Sequence, residues 1–241
     1  MPTALVLSAG GMFAAWEVGV WKVLREHFTP DLIVGASAGA WNGWAIAGGA
    51  IPEELAGDWL DPSTATLMQP GLHRAGFLRP DALHAKARQL FEHYQPRVPF
   101  GLTVVEVPRM RLRLVRDSQI TWRHLAATCS IPLAFPPVSI DGKRYVDGGL
   151  KGALPLWAAC EMGATRAIAL NCLTTRPFRL LHRSLRWSQP HALDTLETIL
   201  IEPSVPLGSV RDTFRWSAAN TERYIALGER DGKLALASIT M

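Results

Sequence analysis

Short apolar runs alternate with stretches of helical periodicity along the chain, and glycine or proline stands at most of the junctions. The runs at 4–7, 32–34, 102–107, 110–115, 144–146 and 166–170 predict strands. Helical spacing predicts helices over 14–28, 38–47, 52–60, 80–94, 122–129, 154–162 and 210–227. Strands that alternate with helices in this way call for an α/β fold, a mostly parallel sheet covered by helices. The stretch 61–79 has little periodicity and reads as a surface loop or lid. No internal repeat interrupts the pattern, and one domain is expected over residues 1–241.

Composition narrows this picture. With 241 residues, 48% hydrophobic and 19% charged, the chain has enough apolar material for a sizeable core, which excludes a disordered or coiled-coil protein. No apolar run reaches the roughly 18 residues needed to span a bilayer. The start of the chain, MPTALVLSAGG, lacks a basic segment before its apolar stretch, so no secretory signal is expected. The three cysteines, Cys129, Cys160 and Cys172, form no CxxC pattern and cannot all pair, which favours a reduced, cytoplasmic setting. A net charge of +4 is too small to argue for nucleic acid. Arginine outnumbers lysine 20 to 5, a bias that suits bidentate contacts with phosphate or carboxylate and also follows from base composition alone. No histidine pair has zinc-like spacing with a third ligand nearby, so neither a metal nor a cofactor is expected.

Two strand–turn–helix junctions carry candidate chemistry. At the first, Leu5-Val6-Leu7 runs through Ser8-Ala9 into Gly10-Gly11 and a helix. Glycines there allow backbone amides to approach a ligand, as a phosphate cradle or an oxyanion hole, or merely permit a tight turn. A dinucleotide fingerprint is absent, since Met12 and Phe13 follow the two glycines. At the second, Gly35-Ala36-Ser37-Ala38-Gly39 follows a β-rich run and precedes an Ala/Trp-rich helix. This GxSxG is the pattern of a nucleophile elbow, in which small neighbours permit the sharp turn that exposes the serine hydroxyl. The alternative is a small-residue helix start with Ser37 as its cap.

A serine nucleophile needs a base. None of the seven histidines sits in a hydrolase-like signal, His182 and His191 included. The better candidate is Asp147. Ile140-Asp141-Gly142-Lys143-Arg144 reads as a hairpin with a DG turn, and its return strand ends at Asp147-Gly148-Gly149. A carboxylate at a strand end followed by two glycines meets little crowding in a cleft. The preceding Ile131-Pro132-Leu133-Ala134-Phe135-Pro136-Pro137 is rigid and apolar, suited to lining a pocket or to an ordinary core loop.

Taken in order, these blocks resemble the patatin-like phospholipase family. The segments Glu53-Glu54-Leu55-Ala56-Gly57-Asp58-Trp59 and Gly163-Ala164-Thr165-Arg166-Ala167-Ile168 are similar to it as well, and the likeness runs over roughly residues 4–172. The resemblance implies a three-layer α/β/α fold and an acyl hydrolase with a Ser–Asp dyad acting on a lipid or other acyl ester. Ser37 is then the nucleophile, Asp147 the base, and the amides of Gly10, Gly11 and Met12 the oxyanion hole. Elbow geometry adds the amide of Ala38. The chain departs from the family at Ala9 and Ala14, where glycines are usual, at Phe13, where a basic residue is usual, and at Ala153, where asparagine is frequent. Other functions compatible with the same residues are a thioesterase or soluble carboxylesterase on the same dyad, and a catalytically weak or silent lipid-binding protein.

Outside the resemblance, Arg176, Arg179, Arg183 and Arg186 recur at helical spacing, with Trp187 beside them. On a helix over 176–187 they share one face. That face is either a solvated surface or a peripheral contact with an anionic membrane.

Overall fold

The computed structural model describes residues 1–73, 76–174 and 196–239. Among them, ten strands form an eight-stranded mixed sheet and a separate two-stranded hairpin. β1 (Thr3–Leu7), β2 (Leu32–Ala36), β9 (Arg166–Leu170) and β10 (Glu197–Ile201) run parallel in the order β10-β9-β1-β2, and β5 (Phe100–Val107) continues this parallel set beyond β2. β6 (Arg111–Arg116) pairs antiparallel with one edge of β5, while β8 (Lys143–Asp147) pairs antiparallel with the other and carries β7 (Val138–Ile140).

The period-two pattern of the central strands separates two apolar layers. Leu5, Leu7, Ile33, Ile168 and Leu170 face the larger core, shared with α1 (Ala15–Leu24), α2 (Ala38–Ala47), α3 (Pro52–Leu60), α4 (Pro80–His93), α5 (Trp122–Thr128) and α7 (Ala218–Ile239). Ala4, Val6, Leu32, Val34, Ala167 and Ala169 face the smaller core, against Trp157, Ala158 and Ala159 of α6 (Leu156–Glu161). The sheet is therefore covered on both sides, as the α/β/α expectation requires. Among the described residues no helix is long and apolar enough to cross a membrane.

Several expectations need correction. The described residues of the stretch 61–79 form a 3-10 turn, Pro62–Met68, followed by strands β3 (Pro70–His73) and β4 (Gly76–Leu78). Asp61 starts the turn by accepting from the Ser63 amide at 2.7 Å, a local bond that needs no periodicity. The helix expected over 14–28 begins as a 3-10 turn, Gly11–Ala14, and its α-helical part ends at Leu24. The helix expected over 210–227 is two elements, a 3-10 turn at Val210–Phe214 and the longer α7. Trp216 lies in the break and donates its indole N–H to the Trp59 carbonyl at 2.8 Å, a tertiary contact that overrides local periodicity. β10 was not expected at all. Its burial is weak because, among the described residues, it is an edge strand paired only with β9. The arginine-rich stretch 176–187, with His182, lies outside the described residues, as does His191.

Candidate active site

Strand register brings the two candidate catalytic residues together. Along one edge of β5, Phe100–Thr103 pair with Ile33–Ala36 of β2. Where β2 ends, the same edge is taken over by β8, with Val104 opposite Asp147. Ser37 follows Ala36, the partner of Thr103, so Ser37 and Asp147 sit at the junction where one strand replaces the other. Ser37 Oγ donates to Asp147 Oδ2 at 2.7 Å, and both residues are buried.

The turn at Ser37 is an elbow. Its φ of 53° and ψ of −132° are unusual for a residue with a side chain. The two glycines of the motif are required by contact. A Cβ on Gly35 would press into the backbone of Ala40, and one on Gly39 would collide with the carbonyl of Ser8. The end of α5 holds the elbow from below. Thr128 Oγ1 accepts from the Ser37 amide at 2.9 Å and donates to the Thr103 carbonyl at 2.8 Å. The Ser130 carbonyl accepts from the Asp147 amide at 3.0 Å. Between them, the Cys129 thiol lies against Ser37. Burial pushes its pKa well up, and the Asp147 charge adds to this, so the thiol stays protonated.

Asp147 Oδ1 accepts from the Gly149 amide at 2.6 Å, so both carboxylate oxygens are engaged. Burial nevertheless raises its pKa to about 7, against the opposing pull of the bonds from Ser37 and Gly149. A second buried carboxyl, Glu17, lies beneath the glycine turn. It accepts from the Ser8 amide at 2.9 Å, from the Ser8 hydroxyl at 3.2 Å and from Asn42 Nδ2 at 3.0 Å. Burial raises its pKa to about 8. Asn42 also donates to the Ala14 carbonyl at 2.9 Å, so this cluster ties the glycine turn to α2.

Two cavities open on Ser37. One, of about 40 Å³, is almost wholly apolar and is lined by Gly11, Met12, Ala38, Trp41, Trp59, Leu67 and Phe135, among others. The other, of about 160 Å³, is lined by Gly10, Gly11, Asp147, Gly149, Ile131, Pro132, Leu150, Leu173, Thr213 and Phe214, among others. Gly10, Gly11, Met12 and Ala38 thus all border space that reaches the serine. The first amides of the turn Gly11–Ala14 and of α2 have no acceptor within their own helices. Gly11 has a positive φ of 52°, and a Cβ there would collide with the Thr213 carbonyl. Among the described residues no histidine lines either cavity.

Of the departures at Ala9, Phe13, Ala14 and Ala153, the one at Phe13 has a structural role. Phe13 is fully buried with its ring edge-on to Tyr224 of α7, at 5.3 Å between centroids. The Ala9 amide donates to the Ala153 carbonyl at 2.7 Å, a backbone bond independent of the side chain at 153. Sequence reasoning missed Glu17, Asn42, Thr128, Cys129 and Ser130. The run Thr128-Cys129-Ser130, polar residues closing an apolar helix, was the available signal for the last three.

The family model for patatin-like phospholipases matches residues 5–160. Patatin-like phospholipase domain-containing protein 6 of Mus musculus is 27% identical over 181 residues, covering 70% of this chain and 13% of that protein. An uncharacterized NTE family protein of Mycobacterium bovis is 25% identical over 189 residues, covering 73% of this chain and 51% of that protein. The chain thus spans between about an eighth and a half of these relatives. The crystal structure of VipD from Legionella pneumophila superposes with a TM-score of 0.53 at 11% identity, over 98% of this chain and 67% of that one, a similarity of fold.

Proposed function

The chain belongs to the patatin-like phospholipase family, and on that premise we propose that it is a serine hydrolase of fatty-acyl esters working through a Ser37–Asp147 dyad. The observation that carries this reading is the 2.7 Å bond from Ser37 Oγ to Asp147 Oδ2 at a strained elbow.

In the proposed reaction Ser37 Oγ attacks the ester carbonyl carbon as its proton passes to Asp147 Oδ2. The tetrahedral oxyanion is held by the amides of the glycine turn, Gly10, Gly11 and Met12, and by the amide of Ala38. Collapse expels the alcohol, which takes the proton from Asp147, and leaves an acyl-enzyme. Water then attacks the acyl carbon, gives a proton to Asp147, and the fatty acid departs as Ser37 regains its hydrogen. A pKa of about 7 makes Asp147 a stronger base than an ordinary carboxylate, so burial serves the chemistry. Both cavities are lined almost wholly by apolar surface, so both suit the acyl part of an ester.

A fluorophosphonate probe tests the assignment. It should label Ser37 in the parent and nothing in Ser37→Ala. Asp147→Asn should lower kcat/KM on p-nitrophenyl esters by about 10³-fold or more. Labelling elsewhere, or near-parental turnover in Asp147→Asn, would sink the dyad.

A further inference from the structure

We infer that the mouth of the Ser37 cleft is a docking surface for a phospholipid bilayer, built from apolar side chains on two opposed lips. Of ten large hydrophobic residues exposed among the described residues, three lie here: Phe77, Leu133 and Phe214. Ile131 and Pro132 line the cleft from one lip, and Leu133 follows them with 81% of its surface exposed. Thr213 and Phe214 line the same cleft from the other lip.

The first lip is fixed in place. Leu133 has a φ of 70°, a conformation that a leucine adopts only when its surroundings impose it. Its carbonyl accepts from the Phe77 amide at 3.3 Å, and the next carbonyl, Ala134, accepts from the Leu78 amide at 2.9 Å. β4 is thereby fastened to the loop, with Phe77 60% exposed. The fold spends backbone strain here on holding a leucine out in water. An isolated exposed apolar residue needs no explanation, but a group of them around one opening does.

The bilayer is the occupant that fits. A protein seated across both lips would close the cleft, whereas a lipid surface delivers acyl chains through it. The charge pattern agrees: Arg211 and Arg215, both exposed, flank Phe214, and Arg79 is exposed two residues after Phe77. Cations around an apolar patch suit anionic headgroups around acyl chains. This inference rests on the acyl hydrolase reading for its choice of occupant.

The test separates binding from catalysis. Full-length Ser37→Ala protein is co-sedimented with vesicles of phosphatidylcholine alone and of phosphatidylcholine with phosphatidylglycerol. Adding Phe77→Ser and Leu133→Asn should weaken binding to both by about tenfold or more, and asparagine tolerates the backbone at 133. Adding Arg211→Glu and Arg215→Glu instead should weaken chiefly the phosphatidylglycerol case, more so at low salt. With Ser37 restored, the Phe77→Ser, Leu133→Asn protein should hydrolyse a soluble short-chain ester as the parent does and act more slowly on vesicles. Loss of vesicle binding in a protein that proves to have no esterase activity supports the surface and defeats the hydrolase reading alone. Equal vesicle binding with and without Phe77 and Leu133, or a parent that binds neither vesicle, overturns the proposal.

Discussion

Ser37 occupies a backbone conformation that costs an L-residue on the order of 1–3 kcal/mol, and it does so at the point where its hydroxyl meets Asp147. The surroundings enforce this. The Ser37 amide is held by Thr128, and the elbow is packed so tightly at Gly35 and Gly39 that neither position has room for a side chain. Replacing the serine by alanine removes the hydroxyl and keeps the strain. Replacing it by glycine removes both. Ser37→Gly should therefore unfold at higher denaturant than Ser37→Ala, by about 1 kcal/mol after the extra chain entropy of glycine is counted. Chemical denaturation of the two variants side by side decides it. If alanine proves as stable as glycine, the turn is not strained as its angles imply.

At the scale of elements, three pieces of secondary structure meet at the floor of the apolar cavity. Trp41 of α2, Trp59 of α3 and Leu67 of the turn Pro62–Met68 line both this cavity and a second of about 30 Å³ behind it. They form the partition between the two, and in the proposed reaction they set how far an acyl chain extends. Trp59 is tied down, its indole donating to Asn42 Oδ1 at 2.9 Å, so Leu67 is the part that can be removed. Leu67→Ala should join the cavities and move the preferred p-nitrophenyl ester by about two or three methylenes, with a loss of about 2–3 kcal/mol in stability. An unchanged chain-length profile would place the acyl chain elsewhere. The elements themselves were legible to different degrees. The helices 38–47 and 52–60 were readable to the residue because local signals mark their ends: Ser37 precedes one, and Pro52 opens the other. The break at Trp216 and edge strand β10 were not readable, because one depends on a distant contact and the other on pairing along a single edge, while the turn at 62–68 rests on a local bond that periodicity does not register.

For the whole molecule, the site was legible where single residues announce chemistry and illegible where the chain converges. The GxSxG elbow and the Asp147-Gly148-Gly149 strand end stand out in the sequence. Their meeting, across 110 positions, depends on β8 succeeding β2 along β5, which no local pattern encodes. Glu17 was hidden for the same reason, since its helix reads as an ordinary apolar one. Yet Glu17 and Asp147 together give the molecule a collective property. Burial raises the first from 4.5 to about 8 and the second from 3.8 to about 7. A carboxyl whose pKa is higher in the folded than in the unfolded state stabilises the fold fully below about pH 4, and that contribution is lost as pH rises through 7 to 8. Each group contributes up to a few kcal/mol across this range. The fold should therefore weaken from about pH 5 to about pH 9, while activity rises through about pH 7 as Asp147 becomes a competent base. Asp147→Asn, which still accepts from Gly149 and presents an amide to Ser37, should lose part of the stability slope and be more stable than the parent at the alkaline end. The slope that remains belongs chiefly to Glu17. Denaturant midpoints across the pH range, beside the pH dependence of kcat/KM, measure both halves. A parent whose stability is flat or rising with pH would show that these two carboxyls are ionised in the fold at ordinary values.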